Sequence, residues 1–174
     1  MKTLLYIFTF TTIIIISCAQ NQSKDEYFHE EIYNLKPFDI TITNISLGQR
    51  DETYILTEKQ IRVVLANEIQ PDNDSVLFSC NISPNKTLQN LSDLNLDSIN
   101  EYYENGCIED GIILKVRIIK DNKTKDISIS NFHLNEIGQA IELINKFIPE
   151  QYKLWYNKDK LIKDKILCDE QNKK

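Results

Sequence analysis

The chain has 174 residues, of which 41% are hydrophobic, and it carries 20 basic against 26 acidic side chains, a formal net charge of −6. This length and hydrophobic content suit a single domain with one core. An acidic chain that has no lysine and arginine stripe interleaved with aromatic residues repels phosphate backbones, so nucleic acid is not expected as a partner.

The first 17 residues have the three parts of a secretory signal. Met1 and Lys2 supply the positive end, residues 4–16 form an apolar run, and the small residue Ser17 precedes Cys18. The apolar run is 13 residues long, whereas a membrane-spanning helix needs about 20. Residues 1–17 are therefore predicted to be a cleaved export signal rather than a permanent transmembrane helix.

Ile15-Ile16-Ser17-Cys18 resembles the lipobox of bacterial lipoproteins, in which an aliphatic and a small residue lead into the cysteine that is acylated. The resemblance implies cleavage before Cys18 and attachment of the mature chain to a lipid bilayer through the acylated cysteine. The alternative is an ordinary cleaved signal followed by a chance cysteine. Residues 18–31 are mostly polar and are expected to form a flexible tether, which leaves residues 32–174 as one domain.

Lys24-Asp25-Glu26 resembles the lysine-plus-acidic signal that sends some Bacteroidota lipoproteins to the outside of the outer membrane. A solvated charge cluster within the tether is the alternative. The expected location is therefore the cell envelope, at the outer membrane, and the choice between its periplasmic and external faces stays open.

The first half of the domain has the pattern of a β-meander. Phe38, Ile40 and Ile42 alternate with polar residues, which is the two-residue period of a half-buried strand. Residues 54–57 and 60–69 are rich in β-favouring side chains. A dense turn signal at residues 70–74 precedes an alternating run over residues 75–82.

The second half combines helices with a hairpin. Ser98 and Glu101 have the spacing of a capping box, which predicts a short helix over residues 99–105 that ends at Gly106. Residues 112–120 and 126–132 alternate around a polar turn and predict a β-hairpin. Asn135 is expected to cap the next helix, whose apolar stripe repeats every three or four residues until Pro149 stops it.

A last amphipathic segment follows Asn157. The order of elements has no β-α-β alternation. It therefore predicts an α+β fold, with an antiparallel sheet of about five or six strands and helices packed on one face.

Three cysteines remain once Cys18 is used for lipid, and an exported chain reaches a compartment where disulfides persist. Cys80 lies on the apolar face of a predicted strand and is interpreted as a small buried hydrophobe. Cys107 lies in a loop and Cys168 in the polar C-terminal region, so a Cys107–Cys168 disulfide is the favoured pairing. In the chain-entropy model, closing a loop of roughly 60 residues stabilises a protein by about 4 kcal/mol.

The aromatic residues Tyr152, Trp155 and Tyr156 form the main candidate interaction site, because tryptophan and tyrosine serve as interface anchors. Packing between the last two helices is the alternative. His29 lacks the second histidine that a zinc-protease helix needs, and residues 72–74 lack the glycine and further ligands of an EF-hand loop. Neither a metal nor a cofactor is expected.

Two functions are consistent with these observations. The first is a non-enzymatic envelope lipoprotein that binds an unknown protein or ligand, for example an immunity protein that neutralises an incoming toxin. The alternative is an envelope hydrolase or metal-dependent enzyme that uses Glu109, Asp110 or His133. Residues 105–111 and 149–156 make the chain similar to small uncharacterised Bacteroidota lipoproteins, and that resemblance implies a location rather than an activity.

Overall fold

A computed structural model describes residues 32–45, 52–65 and 75–173 of the chain. The strands are β1 (Phe38–Asn44), β2 (Glu52–Thr57), β3 (Gln60–Leu65), β4 (Ser75–Asn81), β5 (Tyr102–Glu104), β6 (Ile113–Lys120) and β7 (Lys123–Ser130). The helices are α1 (Lys86–Ser92), α2 (Asn135–Phe147) and α3 (Lys158–Gln171), with short 3-10 helices at Leu96–Ser98 and Glu150–Tyr152.

The seven strands form one sheet in the order β4-β3-β2-β1-β6-β7-β5. All neighbours are antiparallel except β5 and β7, which are parallel. The predicted α+β class and antiparallel sheet are confirmed, with one strand more than expected.

The additional strand is β5, and the helix predicted over residues 99–105 is wrong. The Ser98 hydroxyl does not cap a helix, because it donates to the carbonyl oxygen of Asn95 within the 3-10 helix. The chain then extends along β7, where the Ser128 amide donates to the Glu101 carbonyl. The Tyr103 ring packs against Phe132 with a centroid distance of 5.4 Å. These long-range contacts outweigh the local capping pattern.

The β6–β7 hairpin is present, with a tighter turn than the sequence indicates. Lys120 pairs with Lys123, so Asp121 and Asn122 alone form the loop. Both have positive φ, at 52° and 59°, which is the geometry of a type I′ turn and matches the twist of the two strands.

One hydrophobic core fills the space between the sheet and helices α1 and α2. Alternate residues of the strands point into it, because successive side chains of a strand face opposite sides. Helix α2 adds one apolar stripe, as its three-to-four-residue repeat predicted. Completely buried members are Ile40, Ile42, Leu56, Ile61, Leu88, Ile118, Ile137, Ile141 and Ile144.

The start of α2 differs from the sequence interpretation. Asn135 is the first helical residue rather than the cap, and the cap position falls on Leu134, whose side chain makes no capping bond. The helix ends at Phe147, just before Pro149, which agrees with the inability of proline to continue a helix.

Candidate functional site

The opposite side of the sheet, here called the open face, carries polar side chains. On β1, Asp39, Thr41 and Thr43 are half-buried, whereas Phe38, Ile40 and Ile42 between them are buried. On β6, Lys115 and Arg117 are exposed and alternate with buried apolar residues. The alternation that builds the core therefore also builds a largely polar surface, with Ile119 as an exposed apolar member.

A shallow depression of about 730 Å³ lies on this surface. It crosses β1, β6 and β7 and reaches the segment that leads into β5. Its polar and aromatic lining residues are Thr41, Thr43, Glu101, Tyr102, Lys115, Arg117, Thr124, Lys125, Asp126 and Ser128.

Paired charges organise the floor of the depression. The Arg117 Nε atom lies 2.8 Å from Asp126 Oδ1 on the neighbouring strand. Hydrogen bonding from Arg117 lowers the pKa of Asp126 and, in return, raises the pKa of the guanidinium. Both side chains are more than half exposed, so the pair adds little stability. The Lys115 ammonium donates to the Ser128 hydroxyl at 3.1 Å.

Tyr102 stands at the rim of the depression and is 77% exposed. It pairs in register with Ser128 of β7, next to the hydroxyl that Lys115 contacts. A large exposed aromatic side chain beside paired charges and hydroxyls can contact a ligand through its ring. The sequence pattern placed Tyr102 in a helix and left open whether its ring is exposed or packed in the core.

A second cleft, of about 720 Å³, separates the end of β4 and the start of α1 from α2. Its charged lining residues are Lys86, Glu142 and Lys146. Asn90 and Gln139 join the two helices beside it through their side-chain amides, at 3.5 Å.

The three aromatic residues singled out from the sequence do not share one exposed surface. Tyr152 and Tyr156 are half-buried and pack against the core, whereas Trp155 is 53% exposed. Leu154 lies between them, buried, and exchanges two hydrogen bonds with the Asn145 side chain of α2. Trp155 is therefore the member of this group that a partner could contact.

His133 contacts a side chain from the segment after α2. Its Nδ1 atom forms a hydrogen bond with the Tyr156 hydroxyl. Burial and the negative charge of Glu142 raise the pKa of that phenol, so it stays protonated at neutral pH and can donate to Nδ1.

The imidazole itself favours the neutral form. Burial, followed by the positive charge of Lys158, lowers the pKa of His133, and Glu142 and Glu136 oppose that shift. Gly138 makes room for the pair, since a Cβ atom there would lie 2.6 Å from His133 Cε1. The hydrogen bond between His133 and Tyr156 thus joins the segment after α2 to the residues just before that helix.

Of the three residues proposed for catalysis, two are exposed loop carboxylates and the third is bonded to a tyrosine. Glu109 and Asp110 are exposed in the loop between β5 and β6. His133 is bonded to Tyr156 instead. In residues 32–45, 52–65 and 75–173, no three histidine, cysteine or acidic side chains gather in a way that could hold a metal ion.

A disulfide joins Cys107 to Cys168, the pairing favoured from the sequence, across a separation of 61 residues. Cys80 is buried in β4 and takes no part in it. Cys18, the export signal and the tether lie outside the described residues. No helix in the described part of the chain is both long and apolar enough to cross a membrane.

Comparison of the chain with protein-family models, with curated proteins and with solved structures gave no match.

Proposed function

We propose that this chain is an envelope lipoprotein, anchored through Cys18, whose domain binds a partner and does not catalyse a reaction. The observation that carries the binding role is the depression on the open face. It brings an exposed aromatic ring, a cross-strand ion pair and several hydroxyls onto one surface, and none of its lining residues belongs to α1, α2 or α3. A binding site is commonly a concave surface with a few placed polar groups.

The anchoring part of the proposal rests on the sequence pattern that ends at Cys18. The Cys107–Cys168 disulfide supports export, because such bonds persist in oxidising compartments and are rare in the cytosol. The outer membrane is the proposed site of attachment.

A toxin-neutralising immunity protein is one specific form of this proposal. In that form an acidic surface would meet a basic toxin. The depression holds three cationic and two acidic side chains, so the acidic surplus of the chain lies elsewhere. Contact through the depression and contact through an acidic surface are therefore distinguishable by mutation.

The test uses a deletion strain complemented with variants of the full chain. Tyr102→Ala combined with Arg117→Glu alters the open face, and Trp155→Ala is the matched control, since Trp155 is an exposed aromatic residue outside the depression. We expect wild type and Trp155→Ala to retain a crosslinked partner, and the open-face variant to lose it. Survival against competing bacteria is scored in the same strains.

Each outcome has a definite meaning. Loss of the partner with Trp155→Ala alone would move the binding surface to the segment after α2. No crosslinked partner, together with no change in survival on deletion, would contradict the binding role.

A further inference from the structure

The C-terminal helix α3 stands apart from the hydrophobic core. Only Leu161 and Cys168 of this helix are buried, and neither belongs to the main core cluster. Ile162, Ile166 and Leu167 are 38%, 54% and 46% exposed. The helix therefore has no continuous apolar stripe against the rest of the domain.

The segment before α3 is attached in a different way. Leu154 exchanges two hydrogen bonds with Asn145, and Tyr156 packs on the core while bonded to His133. Beyond these contacts, Asn157 caps α3 by accepting from the Lys160 amide. Asn157 thus marks the boundary between a well-packed segment and a helix that is weakly packed.

The polar contacts of α3 do not compensate for its small buried surface. Its ion pairs, Lys160 with Asp164 and Lys165 with Asp169, both run within the helix. They support helical structure locally and do not join α3 to the sheet. An isolated helix of this length is marginal in water, and one buried leucine offsets little of the entropy lost on ordering 14 residues.

We propose that the Cys107–Cys168 disulfide is a reversible clamp, and that its reduction by a dithiol releases and unfolds α3 while the sheet, α1 and α2 stay folded. The clamp would operate whether or not the open face binds a partner.

The reduction has a preferred direction of attack. Cys107 is exposed and Cys168 is buried, so a thiolate of the dithiol attacks the Cys107 sulfur and Cys168 leaves as a thiolate, which takes up a proton. The second thiol of the reductant then attacks the mixed disulfide and releases Cys107. Two electrons and two protons pass to the protein, and the dithiol becomes a disulfide.

Hydrogen exchange of the full chain, oxidised and after treatment with dithiothreitol, tests the clamp. We expect amides of α3 to exchange at least about tenfold faster after reduction and to lose their protection, whereas amides of β6, β7 and α2 should remain protected. Far-UV circular dichroism should lose much of the contribution of α3, which supplies 14 of the 34 α-helical residues in the described part of the chain. Cys107→Ser should show the same exchange without reductant, and dithiothreitol should change nothing further in that variant.

Two further measurements sharpen the result. Leu161→Ala with the disulfide intact should keep α3 held to the domain, because the covalent bond remains. A dithiol protein reductant that lacks its second cysteine should be trapped on Cys107 and not on Cys168, as read by peptide mass spectrometry.

Two results would overturn the clamp. Unchanged exchange of α3 after reduction would show that packing alone holds the helix. Equal loss of protection in β6, β7 and α2 would show that the disulfide stabilises the whole domain rather than α3.

Discussion

Replacing Gly111 by alanine should destabilise the domain strongly, because this glycine has no room for a side chain. Its φ is +151°, and an added Cβ atom would lie 2.0 Å from the Asn131 Oδ1 atom. Asn131 is buried; its Oδ1 atom accepts from the Ile112 amide at 2.9 Å and its Nδ2 atom donates to the Ile108 carbonyl at 3.3 Å. The new methyl group must displace the Asn131 side chain, which joins the residue after β7 to the segment before β6.

The magnitude follows from these contacts. Each lost hydrogen bond lowers the free energy of unfolding by about 0.5–1.5 kcal/mol, and a non-glycine residue in a sparsely populated conformation costs about 1–3 kcal/mol. The expected loss for Gly111→Ala is therefore about 2–6 kcal/mol. Gly106→Ala is the control in the same loop, since no atom lies within 4 Å of its added Cβ, and it should change stability by about 0.5 kcal/mol or less.

Urea unfolding of the oxidised chain, followed by far-UV circular dichroism, measures both variants. Asn131→Ala removes the atom that the new methyl group meets, so the costs of Gly111→Ala and Asn131→Ala should not add in the double variant. Additive costs, or a Gly111→Ala chain as stable as Gly106→Ala, would refute the explanation.

Three other predictions concern the core, a titrating side chain and the anchor. Ile141→Ala should lower the free energy of unfolding by about 2–5 kcal/mol, because Ile141 is completely buried. The control Ile162→Ala, on the exposed side of α3, should change the free energy of unfolding by about 0.5 kcal/mol or less. Equal effects of the two substitutions would contradict this assignment of the core. The pKa of His133 in the folded chain lies below its ordinary value of 6.5. Between this lowered pKa and 6.5 the unfolded chain binds more protons than the folded chain, so the free energy of unfolding should fall as the pH drops through that window. His133→Gln should flatten this dependence in urea titrations, and a histidine NMR titration above 6.5 would contradict it. Cys18→Ala should abolish metabolic labelling with a fatty-acid analogue and accumulate precursor, whereas unchanged labelling would show that Cys18 is not the acylated residue.

Sequence patterns predicted those elements that are held by contacts between residues close together in the chain. The β6–β7 hairpin and α2 followed from alternation and from the helical repeat of isoleucines, because a single buried face fixes each pattern. Strand β5 has three residues and pairs in parallel with β7, more than twenty residues further along the chain. Three residues are too few to show an alternation of apolar and polar side chains, so the capping pattern at Ser98 favoured a helix. The pairing of β5 with β7 overrides that local preference.

The sequence predicted less of the candidate site than of the fold. The open face is the polar half of the same alternation that defines the core, but its residues come from strands that only the sheet order brings together. Trp155 and its aromatic neighbours stood out by composition. Whether Tyr102 is exposed could not be decided from the sequence, because its exposure depends on the placement of β5 at the edge of the sheet.

The proposed export of the chain and the proposed release of α3 are linked through the compartment in which the chain resides. An exported chain reaches an oxidising environment in which the Cys107–Cys168 bond forms and persists, so release of α3 there requires a dithiol donor. A chain retained in the cytosol would meet a reducing thiol pool, and α3 would then be unfolded by default. Deletion of residues 1–17, the proposed export signal, should therefore remove both the fatty-acid label and the disulfide, whereas Cys18→Ala keeps that signal and should remove the label alone. An intact disulfide in a chain that never leaves the cytosol would break this link and show that the bond is protected by the fold itself.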